Sequence, residues 1–165
     1  MQITYENLSK YYFYCHERKA VVRIKNNQTL SYDESLMSSL YDPKEKIKNR
    51  VKYNKICWIL GNKKDFPEGK RILHINMNEE DFRLNNLRIV DTSDYNLAQE
   101  AIRNLSGALR MEVHPQDMFS FQIKYIKHGK HITETINDVV PAKRRLIALQ
   151  LRYAKILSKF CNIEN

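Results

Sequence analysis

The stretch FSFQIKYIK, residues 119–127, constrains the fold more tightly than any other part of this chain. Phe119, Phe121, Ile123 and Tyr125 alternate with Ser120, Gln122 and Lys124. Successive side chains of a strand point to opposite faces, so the pattern predicts a strand with one apolar and one polar face. His128-Gly129-Lys130 supplies a hairpin turn, and HITETI (131–136) predicts the next strand. RMEVH (110–114) also alternates and reaches the central strand through Pro115-Gln116-Asp117. Pro141 then opens a helix expected to run to about Phe160, proline being well placed in a first turn. Its Leu146, Leu149, Tyr153, Ile156 and Phe160 follow helical spacing. The expectation is a three-stranded antiparallel sheet with its apolar face on one helix and its polar face open.

The first two thirds are less regular. KAVVRIK (19–25) reads as a strand ending at the turn signal Asn26-Asn27, and residues 1–32 read as strand-rich. Residues 33–43 are polar, end at Asp42-Pro43 and are expected as a loop. In KEKIKNRVKYNK (44–55), Lys44, Lys46, Lys48, Arg50 and Lys52 fall at every second position, so in a strand all five share one face. Such a face fits a solvated edge strand guarded by lysines or a strand that tracks phosphates; Lys55 follows close behind. ICWIL (56–60) is a short apolar run expected to be buried, residues 61–69 a loop, and residues 91–105 a helix capped by Asp91, Thr92 or Ser93.

Charge narrows the classes of partner. The formal net charge is +9, which favours a polyanion: nucleic acid first, an anionic membrane surface second. The alternative is charge that serves solubility alone. Residues 104–165 carry ten basic and five acidic side chains, residues 1–103 eighteen and fourteen, so the C-terminal part is the more basic per residue. No apolar run approaches the roughly eighteen residues of a membrane span, and residues 1–14 lack the order of a secretory signal. An intracellular, cytoplasmic protein is expected, with no membrane partner. Cys15, Cys57 and Cys161 are too few and too scattered for a disulfide framework or a zinc site, and are read as buried or half-buried small hydrophobes.

The segment NKICWILGNKKDFPEGKRILHINMNEEDFRLNNLRIVDTSDYN, from Asn54, resembles the HNH endonuclease family of the phage and intron homing type. In that family an apolar strand is followed by a glycine-containing loop, an Asp-His or His-His pair, an asparagine in the string NNR-x-x-NL, and a helix carrying the last Asn or His. The string from His74 to Val90 carries the resemblance. The C-terminal third, SGALRMEVHPQDMFSFQIKYIKHGKHI, is similar to the three-stranded DNA-binding domain of plant ethylene-response factors. Together they imply an α+β protein: a ββα-metal, HNH-like unit followed by a three-stranded antiparallel sheet packed on one helix. The expected domains are 1–105 and 106–165.

What the resemblance implies about residues is specific. His74 stands at the family's general base and Asn86 at its middle asparagine. The family's metal ligand just before the base is replaced by Leu73, whose side chain has no oxygen to offer Mg²⁺. The helical ligand position falls at Tyr95, with Asn96 one residue later as the candidate ligand, and Glu80 or Asp81 as possible substitutes. Asn54-Lys55 occupies the place of a His-Arg pair. On the sheet, the implied DNA-contacting residues are Arg110, Glu112, Gln122, Lys124, Lys127 and His131. The leading expectation is a double-stranded-DNA-binding protein on a homing-nuclease scaffold that has lost cutting and needs no cofactor. The alternative is an active nuclease with Mg²⁺, His74 as base and Asn96 among its ligands. A third reading is an adaptor or inhibitor that binds a protein partner. The resemblance and the Lys-, Asn-, Ile- and Tyr-rich composition associate the chain with a phage or virus.

Overall fold

The structure, a computed structural model, describes residues 3–42 and 47–161. The chain forms two compact units, Met1–Asp91 and Thr92–Asn165. Each mixes helices with small antiparallel sheets, in keeping with the α+β expectation.

In the first unit, α1 (Tyr5–Ser9) starts at Thr4, whose hydroxyl accepts from Asn7 N at 3.3 Å. β1 (Tyr12–Cys15) pairs with β2 (Ala20–Arg23), and β3 (Met37–Asp42) with β4 (Ile47–Lys52). β3 replaces the loop expected over 33–43. Its alternation is carried by a serine: Ser38 and Leu40 are buried, and the Ser38 hydroxyl donates to Ser31 O at 2.7 Å, so the small polar side chain is satisfied inside. α2 (Tyr53–Asn62) follows directly. It corrects the apolar strand implied around 56–60. Tyr53, Ile56, Cys57 and Leu60 fall at i, i+3, i+4 and i+7 and are all buried, a helical stripe rather than a strand. β5 (Lys70–His74) pairs with β6 (Leu87–Asp91) across a loop closed by a 3₁₀ turn, Leu84–Asn86. The core gathers Leu8, Val21, Leu40, Ile56, Ile59 and Ile72 around Tyr53, whose hydroxyl accepts from Val21 N at 2.8 Å. Phe82 joins Tyr32 and Tyr53, with ring centroids 5.3 and 4.7 Å away. Cys57 is buried and Cys15 half-buried, both as free thiols; the Cys161 side chain lies outside the described residues.

The second unit begins at α3 (Thr92–Arg103), which ends in a π-type turn, Asn104–Ala108, where Gly107 takes φ 129°. Its sheet has the order β7 (Arg110–His114), β8 (Asp117–Lys127), β9 (Lys130–Asn137), and α4 (Val139–Cys161) packs on it. Between Lys127 and Lys130, His128 and Gly129 both take positive φ (52° and 73°), the two-residue turn whose twist matches the flanking strands. Ile123 and Tyr125 of β8 are buried, as are Leu149, Tyr153, Ile156 and Phe160 of α4; Leu146 is half-buried. Glu134 of β9 ties the sheet to the helix. It accepts from Arg145 Nε and Nη2, each at 2.8 Å, and from the Tyr125 hydroxyl at 2.6 Å. The Arg145 guanidinium, helped by Tyr125, holds the Glu134 carboxyl down at about 2.

The division falls at Asp91/Thr92 and not at the expected 105/106, because α3 packs on α4 and β8. Buried Asn104 joins them: its Oδ1 accepts from Ile126 N at 2.8 Å while its Nδ2 donates to Ile126 O at 2.8 Å.

Candidate nucleic-acid interface

Strand pairing sorts the sheet residues by face. Directly opposed residues of an antiparallel pair share a face. Met111 lies opposite Ile123, Ile123 opposite Glu134, and Tyr125 opposite Ile132; this is the face that holds the buried residues. The other face pairs Arg110 with Lys124, Glu112 with Gln122, Gln122 with Thr135, Lys124 with Thr133 and Ile126 with His131. Five of the six expected DNA-contacting residues therefore share the polar face: Arg110, Glu112, Gln122, Lys124 and His131. Lys127 is a correction. It sits opposite Lys130 at the hairpin end, two residues beyond Tyr125, and belongs to the other face. Its odd register position, not its charge, decides the side.

The polar face is organised by one carboxylate. Glu112 accepts from Arg110 Nε at 2.6 Å and from Lys124 Nζ at 2.5 Å. The two cations, Lys124 first, hold its carboxyl below the usual range. All three groups are partly exposed, so the triad is open to a ligand. Thr133 and Thr135 complete the face and were not among the expected residues. The alternation of HITETI, read for its polar positions, already marks them.

The basic strand behaves as its period two requires. Lys48, Arg50 and Lys52 are exposed on one face of β4, opposite Tyr41, Ser39 and Met37, while Val51 is buried on the other. Arg50 pairs with Asp33, and Lys52 Nζ donates to Ser35 O at 2.8 Å. Lys44 and Lys46 lie outside the described residues. Lys55 departs from this face: it belongs to α2, with Nζ 4.9 Å from the centre of the Phe66 ring.

The His74 hairpin is built around its loop. Asn86 is buried; its Oδ1 accepts from Asn76 N at 2.9 Å and its Nδ2 donates to Asp81 O at 2.8 Å. Asn76 Oδ1 accepts from Asn78 N and Asn78 Oδ1 from Glu80 N, each at 3.0 Å, the local turns asparagine favours. Asp81 accepts from Arg83 Nε at 2.8 Å and from Asn76 Nδ2 at 2.7 Å. Arg83 is the main cause holding its carboxyl down at about 2. The Tyr14 hydroxyl donates to Phe82 O at 2.9 Å and fastens the loop to β1. Asp81, Phe82 and Arg83 were missed as organising residues; only the spacing of Asn and Asp at 76, 78 and 81 signals the turns.

Beneath this loop His74 is buried, 6.2 Å from Phe82 centroid to centroid, and its Nε2 has no hydrogen-bond partner among the described residues. Burial lowers its pKa, opposed by Glu79 and Asp81, so the neutral imidazole is favoured at pH 7. Leu73 points to the opposite face of the hairpin and is 3% exposed, occupied as an apolar position. Asn96 is exposed on α3, which belongs to the second unit, as does Tyr95. Glu80 is exposed at the loop surface. Among the described residues no three of His, Cys, Asp and Glu gather as a possible metal site. The donors implied for Mg²⁺ do not fit it: the Leu73 side chain has no oxygen, and the Asp81 carboxylate is engaged by Arg83 and Asn76. No metal-dependent step follows from these residues.

Among the described residues no helix is long and apolar enough to cross a membrane. Compared with known proteins, the chain matches no family model, no curated protein and no solved structure.

Proposed function

We propose that this chain binds double-stranded DNA through the polar face of β7–β9, on a scaffold of HNH kind whose hairpin has turned from catalysis to structure. The single observation that carries the reading is the sorting of Arg110, Gln122, Lys124, Thr133 and Thr135 onto one face while the other packs under α4. Strands laid in the major groove present such side chains to base edges and phosphates. Arginine and lysine supply phosphate contacts or donors to guanine, and glutamine suits adenine. The exposed Lys48, Arg50 and Lys52 offer a second set of phosphate contacts. The net charge of +9 suits the same partner.

The hairpin supports loss of cutting. Asn86 spends both ends of its amide inside the loop, and Leu73 fills an apolar site where a ligand would stand. The nuclease reading keeps one observation in its favour, the neutral, unpartnered Nε2 of His74, which is the state a general base requires. Supercoiled plasmid with Mg²⁺ or Mn²⁺ separates the two. The proposal expects retarded but intact plasmid. Metal-dependent nicking that vanishes in His74→Ala overturns the loss of cutting, and no retardation at low salt overturns DNA binding.

A further inference from the structure

We propose that the outward face of α4 is a docking surface for an acidic amphipathic helix of a partner protein. The helix has two apolar sides. One, containing Leu149, Tyr153, Ile156 and Phe160, is buried in the second unit. The other is a seam of Val140, Ile147 and Leu151, which are 50%, 53% and 65% exposed. With Arg144, Ala154 and Ser158 they fall at steps of four and three along the helix. That is the a/d repeat by which one helix receives the knobs of another. From residue 140 to 158 the seam runs about 27 Å, at 1.5 Å per residue. Solubility alone does not call for three large aliphatic side chains at that spacing on the exposed side of a helix.

Charge selects the occupant. α4 contains Lys143, Arg144, Arg145, Arg152, Lys155 and Lys159 and no Asp or Glu. Arg145 is already engaged with Glu134. Lys143, Arg144 and Lys155 are exposed beside or within the seam. A second copy of α4 laid along the seam would set these cations against their like, with no acid on either helix to offset them. A lipid surface is a poorer fit, because the seam is narrow and carries no Trp, Phe or Tyr, whereas interfacial helices offer a broad apolar face. Duplex DNA would match the charge but would leave the aliphatic seam against phosphates. A helix with apolar residues at heptad spacing and flanking glutamates matches both features.

The test uses the full chain and a labelled designed peptide of about three heptads, with Leu at a and d and Glu at e and g. An isomer of the same composition in scrambled order is the control. Fluorescence anisotropy should show saturable binding of the amphipathic peptide, roughly tenfold tighter than the scrambled one. The double variant Ile147→Ser/Leu151→Ser keeps the charge and should lose that preference while its thermal midpoint stays unchanged. Equal binding of the two peptides, or a preference that survives in the serine variant, overturns the proposal. So does a dimer in sedimentation that the serine variant dissolves, which would make a second copy the occupant. Binding to phosphatidylserine-containing vesicles with no peptide preference would overturn it in favour of a lipid surface.

Discussion

Asn86 Oδ1 accepts the backbone N–H of Asn76 at 2.9 Å, across ten residues of the β5–β6 loop. The same amide donates to Asp81 O at 2.8 Å. One buried side chain thus closes both halves of the loop above His74. Asn86→Ala leaves a donor and an acceptor without their partner and is expected to cost about 2 kcal/mol. Chemical denaturation measures the loss. Hydrogen exchange should show residues 76–83 losing protection first.

Leu73→Asp would return the ligand type that the HNH resemblance calls for, and the fold opposes it. Leu73 is 3% exposed, so the change removes apolar burial and places a carboxylate in its stead. The expected loss is about 3 kcal/mol or more, against about 2–5 kcal/mol for Leu73→Ala. Plasmid incubated with the variant and Mg²⁺ should remain supercoiled. A stable variant that nicks DNA would show that one carboxylate was all the site lacked.

Stability should fall as pH drops from 7 to 5. The pKa of His74 is lowered in the fold, against an ordinary value of 6.5 for the unfolded chain. Between the two the unfolded chain binds the extra proton, so acid favours unfolding. The contribution is fully present above about 6.5 and is lost as pH falls through the folded value. Asp81 and Glu134, each held at about 2, titrate below this window. His74→Leu should flatten the profile between pH 7 and 5 when midpoints are compared across buffers.

These elements were not equally legible in the chain. The β8 alternation and the spacing of Leu149, Tyr153, Ile156 and Phe160 announced the sheet and α4, because each pattern runs long enough to reveal its period. ICWIL did not: five apolar residues fit a buried strand or a helix, and only the addition of Tyr53 shows the helical stripe. Lys52 gives α2 no side-chain cap to mark its start. β3 hid behind serines, since a buried Ser38 is satisfied by a backbone carbonyl that sequence cannot place. The division between the two units differs from the expected 105/106 for a similar reason. Asn104 lies within the stretch expected as helix, and its amide clamps both backbone groups of Ile126, a tertiary contact that spacing along the chain does not show. At the sheet, face membership followed from parity, which is why Lys127 alone fell on the wrong side.

Glu112 offers a test of how the polar face meets phosphate. It holds both Arg110 and Lys124. Glu112→Gln removes the competing anion, and random-sequence duplex should bind a few-fold tighter at low salt. Weaker binding to every duplex would instead show that Glu112 positions Arg110 and Lys124 for phosphate, and weaker binding to particular sequences alone would place Glu112 in direct contact with bases.

The claim that the β7–β9 face binds duplex DNA is tested most directly by the salt dependence of binding, with anisotropy of a labelled duplex as the readout. The logarithm of the association constant should fall steeply and linearly with the logarithm of salt concentration. Arg110→Ala and Lys124→Ala should each shallow the slope by about 0.9, while Lys127→Ala, from the opposite face, should leave it unchanged. A flat response, or a Lys127→Ala effect as large as that of Arg110→Ala, would contradict the account.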